Sequence, residues 1–163
     1  MFTFYKKHNN KLYNKLIELS RNKFFYKDLN LPDKFETRIL LIFFHFALVL
    51  NIKKDPKNRK NKQDLFDNIF QNIEYHIREL GYGDVSVNKK MKELTKIFYD
   101  IVYNLEKKKL IIDDELLKKY FFKNENNIDN LNILADYFKE FYNFCFDLDV
   151  NIMLNGDIDF IHR

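Results

Sequence analysis

The sequence predicts an all-α fold: a single compact multi-helix domain over residues 1–163, with a buried apolar helix at its centre. Apolar residues recur at spacings of three and four along most of the chain, and no stretch alternates as a half-buried strand would. Two of only three glycines, Gly81 and Gly83, stand together between two strongly amphipathic runs, which reads as helix, tight corner, helix. A length of 163 residues suits one core and is too short for two of ordinary size.

Leu12, Leu16 and Leu19 mark a first helix from about Asn9 to Arg21. Phe24, Phe25 and Tyr26 follow as an aromatic connector, and Pro32-Asp33 opens the next helix, proline suiting a first turn and aspartate capping free N–H groups. From Ile39 to Leu50 that helix is apolar at every position but His45. A run so short is a buried central helix rather than a membrane span, and none reaches the roughly 18 to 20 apolar residues that spanning requires. Residues 51–62 have no apolar period and read as an exposed loop.

Leu65, Phe66, Ile69, Phe70, Ile73, Ile77 and Leu80 form the stripe of the helix before the corner, and Val87, Met91, Leu94, Phe98, Ile101, Val102 and Leu105 that of the helix after it. Gly81 suits the left-handed position after a helix, and Asp84 or Ser86 can cap the next. Lys107, Lys108 and Lys109 sit near a helix end, where cations suit the dipole. Asp113 and Asp114 begin a short helix with Leu116, Leu117 and Tyr120, and a polar loop through Asn124 to Asn127 precedes a last long helix. That helix carries Leu131, Leu134, Tyr137 or Phe138, Phe141, Tyr142 and Cys145 at helical spacing, so Cys145 reads as a small core residue. Asn155-Gly156 fits either a hairpin turn or a helix stop; the stop is preferred, because flanking strands would be short and would have no sheet to join.

The net charge of +4 conceals a gradient. Residues 1–62 carry 15 Lys+Arg against 5 Asp+Glu, whereas residues 110–163 carry 5 against 11. Such a dipole can orient the protein against an anionic surface, a membrane face or ribosomal RNA. Lys53, Lys54, Lys57, Arg59, Lys60 and Lys62 are the candidate contacts for that surface, although no aromatic residue interleaves them to stack on bases. Cys145 is the only cysteine, so neither an internal disulfide nor a cysteine metal cluster can form within the chain. The start lacks the order of a secretory signal, and the protein is expected to be soluble or peripheral.

Gly81-Tyr82-Gly83 is no nucleotide fingerprint, since a helix rather than a strand precedes it and the third glycine is missing. Asp67, Glu74 and Arg78 lie at spacings of seven and four on one side of a helix, with Glu74 placed to pair with Arg78. Glu79, Asp84, Lys89 and Lys90 extend this charge around the corner. Spacing alone makes this a solvated face with one ion pair. His45 has no His or Glu one turn away and reads as a core histidine bonded to backbone. Neither a metal site, a cofactor nor a catalytic triad is expected.

Leu65-Phe66-Asp67, Phe70, Glu74, Arg78-Glu79-Leu80-Gly81, Gly83-Asp84, Val87, Lys89 and Phe98-Tyr99 match in order and spacing, without a gap, the signature of a known family. The chain resembles the ubiquinol-cytochrome c chaperone family, assembly factors for the cytochrome bc1 complex (respiratory complex III). Weaker likeness extends to Arg21, Phe25-Tyr26, Pro32-Asp33, Arg38, His45 and Leu48, and to Leu154, Gly156 and Phe160, so nearly the whole chain is covered. Glu74 stands where the family usually has Asp, Asn88 where Gly is common, and Tyr120 to Lys123 depart from a basic-Asn stretch.

The resemblance implies a non-enzymatic chaperone. In the organellar system it works with a small partner chaperone, meets the ribosome near the exit tunnel and holds newly made cytochrome b. This chain looks more like the bacterial members, bare domains without a long N-terminal extension, and is expected in the cytoplasm, peripheral at the inner membrane. Asp67, Glu74, Arg78, Glu79, Gly81, Gly83, Asp84 and Lys89 are then the expected protein-binding residues, with Phe25 and Tyr26, if exposed, as client contacts. The alternative is a helical ribosome or RNA adaptor that uses the basic loop 53–62.

Overall fold

The computed structural model describes residues 10–52, 59–109, 112–123 and 127–162. They form eight helices: α1 (Lys11–Ser20), α2 (Lys23–Lys27), α3 (Phe35–Ile52), α4 (Arg59–Glu79), α5 (Asp84–Lys107), α6 (Asp114–Phe121), α7 (Ile128–Phe146) and α8 (Val150–Leu154). No strand occurs among the described residues. Short polar side chains set several of the starts. The side-chain oxygens of Asn10, Asp113 and Asn127 accept from backbone N–H groups two or three residues into α1, α6 and α7.

α3 is the axis of the fold. α1, α5 and α7 pack around it, α6 packs on α7, and α4 leans on α5. Thirteen of its eighteen residues are buried, so it has no polar face to offer water, as a helix apolar all round requires. It is also longer than its apolar run, and by length and composition alone it could cross a membrane; 72% of it is instead covered by the rest of the protein. Two aromatic clusters flank it. Phe43 and Phe46 meet Phe98 of α5, with Phe66 and Phe70 of α4 closing the group, while Phe25, His45, Tyr137, Phe138 and Phe141 interlock on the opposite side.

His45 organises the second cluster. Its Nδ1 lies 2.6 Å from the carbonyl of Leu41 and its Nε2 lies 2.7 Å from the hydroxyl of Tyr137. A carbonyl only accepts, so Nδ1 carries the proton and donates it, and Tyr137 donates to Nε2. Complete burial holds the imidazole neutral, lowering its pKa to about 4. The expected core histidine is therefore present, with a tyrosine partner 92 residues away added to the backbone bond. Cys145 is also buried, and that burial pushes its thiol pKa up to about 12.

Several boundaries differ from the sequence reading. The aromatic connector is helix α2, and Phe25 is fully buried against His45 and Tyr137. The helix expected to open at Pro32-Asp33 begins at Phe35, and the Asp33 carboxylate is taken instead by the Arg38 guanidinium, at 2.5 Å. The basic loop is shorter than residues 51–62. Asn51 and Ile52 complete α3 and are buried, the Asn51 amide donating to the Ala47 carbonyl at 2.8 Å, and Arg59, Lys60 and Lys62 belong to the first turn of α4. Lys53, Lys54 and Lys57 lie outside the described residues. Gly156 does end a helix, at φ +78° after α8, and a Cβ there would stand 2.6 Å from the Lys11 carbonyl oxygen. The backbones of α1 and the α8 terminus touch at that point.

Candidate functional site

α4 must stop where α5 turns back along it, and the chain does this in four residues. Leu80 and Gly81 close the helix with N–H bonds to the carbonyls of His76 and Arg78, at 3.1 and 3.0 Å. Gly81 adopts φ +95°, the left-handed conformation that a Cβ disfavours. Gly83 is different. It is the N-cap of α5 at φ −74°, without a side-chain cap bond, and a Cβ there would meet nothing within 4 Å. Neither Asp84 nor Ser86 fills the capping role expected of them; Asp84 lies in the first turn, where its charge still suits the helix dipole.

Arg78 ties the corner together. Its guanidinium bonds Glu74 Oε1 at 3.1 Å one turn back, the pair that the spacing predicts, and also bonds the Asp84 carboxylate across the turn. Those two carboxylates, Asp84 first, hold the guanidinium more firmly protonated than a free one. Lys90 sits 4.7 Å over the Tyr82 ring and 3.8 Å from Glu36, linking the corner to α3. Glu79 and Lys89 are exposed at the rim. Asp67 is not part of this group. It lies eleven residues before Arg78, about 16 Å along α4, and accepts instead from Gln63 at 2.9 Å.

Between these charges the corner exposes apolar surface. Leu80, Tyr82 and Val85 are 58%, 43% and 85% exposed. Leu80 was expected on the buried stripe, but α4 ends one residue earlier and the turn carries Leu80 outward. Periodicity cannot find that; the adjacent Gly81 is the available signal. Behind Leu80 and Glu79 a cleft of about 320 Å³ reaches back to Ile17, Phe35, Arg38 and Ile39, and the Tyr13 hydroxyl meets His76 Nδ1 at 2.7 Å in its wall. Burial raises the Tyr13 pKa well above the usual phenol range.

The other expected client contacts divide. Tyr26 is half-buried, its hydroxyl donating to the Ser20 carbonyl at 2.7 Å. Phe25 offers no surface because its ring completes the aromatic cluster around His45. Among the described residues no three His, Cys, Asp or Glu side chains stand together to hold a metal ion. The corner sets exposed apolar side chains within a polar rim, and it is built on two packed helices rather than on a long loop.

A family model described as Ubiquinol-cytochrome C chaperone matches residues 27–160, a span that contains the whole corner and the cores of α3, α4, α5 and α7. Among solved structures the chain is similar to the crystal structure of the Cbp3 homolog from Brucella abortus, at 21% identity and a TM-score of 0.71, over 93% of this chain and 87% of that one. At that identity the likeness is one of fold. No curated protein matches.

Proposed function

The chain belongs to the ubiquinol-cytochrome c chaperone family, and from that premise we propose that it is a non-enzymatic assembly factor for the cytochrome bc1 complex, one that holds newly made cytochrome b or a partner chaperone at its glycine corner. The observation that carries this reading is the exposure of Leu80 and Tyr82 on the turn and of Val85 at the start of α5, beside charges already fixed by Arg78. Apolar side chains on a rigid turn lose little freedom on binding, and the fixed charges around them penalise wrongly oriented partners. An immature apolar client gains a covered surface until the rest of its complex arrives. Such a client lies in the membrane, which places the protein at the cytoplasmic face of the inner membrane as a peripheral component.

The test is recovery of the tagged protein from gently solubilised membranes. Cytochrome b co-purifies with the wild type, and Leu80→Glu with Val85→Glu abolishes its recovery while the helical circular dichroism spectrum is kept. The reading fails if cytochrome b never co-purifies and deletion of the gene leaves the cytochrome bc1 complex intact.

A further inference from the structure

α5 presents a second surface. Its buried residues Val87, Phe98, Ile101 and Leu105 face the core. On the opposite side Val85, Lys89, Lys92, Lys96, Tyr99 and Tyr103 follow one another at intervals of four, three, four, three and four, and all are exposed. That spacing sets them in a single line about 27 Å long on a straight helix. Lys90, one position off the line, is the lysine that pairs with Glu36. Among the described residues Lys89, Lys92 and Lys96 have no carboxylate partner. Asp100, beside the line, is taken by Lys119 at 2.8 Å and by the Tyr120 hydroxyl. A lysine-rich composition accounts for many lysines; it does not account for three aligned with two exposed tyrosines on a line that itself carries no acid, the exposed Glu93 lying beside it.

From this line we propose that α5 is the face by which the protein lies on a bilayer containing anionic phospholipid, Lys89, Lys92 and Lys96 meeting headgroup phosphates and Tyr99 and Tyr103 seating at the headgroup boundary. Charge complementarity selects the occupant, since each lysine near an anionic membrane surface adds to the attraction. Two features favour lipid over RNA. The cations are all lysines, point charges on flexible stems that follow a fluid surface, whereas the bidentate and stacking contacts by which nucleic acids are recognised favour arginine. Tyr99 also has one ring face stacked on Phe66, centroids 5.6 Å apart, so it cannot be enclosed between two bases, while its exposed edge and hydroxyl suit an interface. The line begins at Val85, so a protein resting on α5 holds the glycine corner at the bilayer surface, where a newly inserted client emerges. This deepens the proposed peripheral location and names the surface responsible.

Flotation of the purified protein with phosphatidylcholine vesicles, with and without phosphatidylglycerol, tests it. The wild type binds the anionic vesicles more than tenfold better than the neutral ones and is released by salt. Lys89→Glu with Lys92→Glu and Lys96→Glu removes that preference with helicity unchanged, while the charge-matched Lys23→Glu with Lys27→Glu and Lys139→Glu, at exposed positions on other helices, keeps it. Absence of vesicle binding by the wild type overturns the proposal, as does a stripe variant that floats like the wild type. Tighter binding to an RNA homopolymer than to vesicles, lost in the stripe variant, also overturns it in favour of RNA. Client recovery in detergent uses no vesicle, so failure here leaves the chaperone reading standing, and failure there leaves vesicle binding standing.

Discussion

His45 and Arg78 each make two side-chain bonds, His45 reaching 92 residues along the chain to Tyr137 and Arg78 only four and six residues to Glu74 and Asp84, and they do opposite work. His45 is completely buried between Leu41 and Tyr137, where each bond made replaces water that cannot return. Arg78 is at the surface between Glu74 and Asp84, where water competes for every bond and the net gain is small. The first network fixes which helices meet. The second adds little to stability and fixes instead the direction in which a turn presents its charges. A polar hub is worth most to folding where it is hidden and most to recognition where it is not.

The contrast is sharpest under substitution. His45→Ala removes the acceptor of the Tyr137 hydroxyl and leaves a cavity among four aromatic rings, so it should cost about 3–5 kcal/mol in urea unfolding; a loss below 1 kcal/mol would sink the view of His45 as the core's organising residue. Acid acts on the same group. The folded imidazole has its pKa lowered to about 4 from 6.5, so between those values the unfolded chain binds the extra proton. Stability contributed by His45 is thus complete above pH 6.5 and is lost as pH falls toward 4, by about 3 kcal/mol in all. Unfolding midpoints compared at neutral and acid pH measure it, and His45→Leu should lack that part of the slope.

At the corner the effects shrink. Gly81→Ala forces a side chain into φ +95° and should cost about 1 kcal/mol. Arg78→Gln should move the thermal midpoint less than Gly81→Ala does, while reducing cytochrome b recovery more than any stability-matched core variant. Equal losses of recovery would erase the distinction between the two hubs. Smallest is Gly83→Ser, which supplies the missing cap at an ordinary φ and should stabilise by a few tenths of a kcal/mol. Loss of recovery in so benign a variant would mark Gly83 as a point of close approach for the partner.

The central helix, the corner and the core roles of His45 and Cys145 were legible from spacing, because burial of one face leaves a period in the sequence. So was the Glu74–Arg78 pair, which a single helical turn dictates. The Asp84 bond was not, since it depends on how a turn folds back. Tyr137 could not be linked to His45 across 92 residues by any local pattern. Phe25 and Leu80 erred in opposite directions, because the short helix α2 turns Phe25 onto His45 and Tyr137 while the end of α4 carries Leu80 outward. The basic loop misled because lysines near Pro56 resemble a loop, although Ile52 still packs as helix and Arg59 already starts the next one.

The close approach of Gly156 to Lys11 also bears on synthesis at the ribosome. α1 is made early, but the backbone it finally rests against is made some 145 residues later. Until then α1 can pair with α3 while one flank stays open, and the growing chain has no closed domain to release. Only a chain translated through α8 can bring Gly156 against the start of α1 and close that flank.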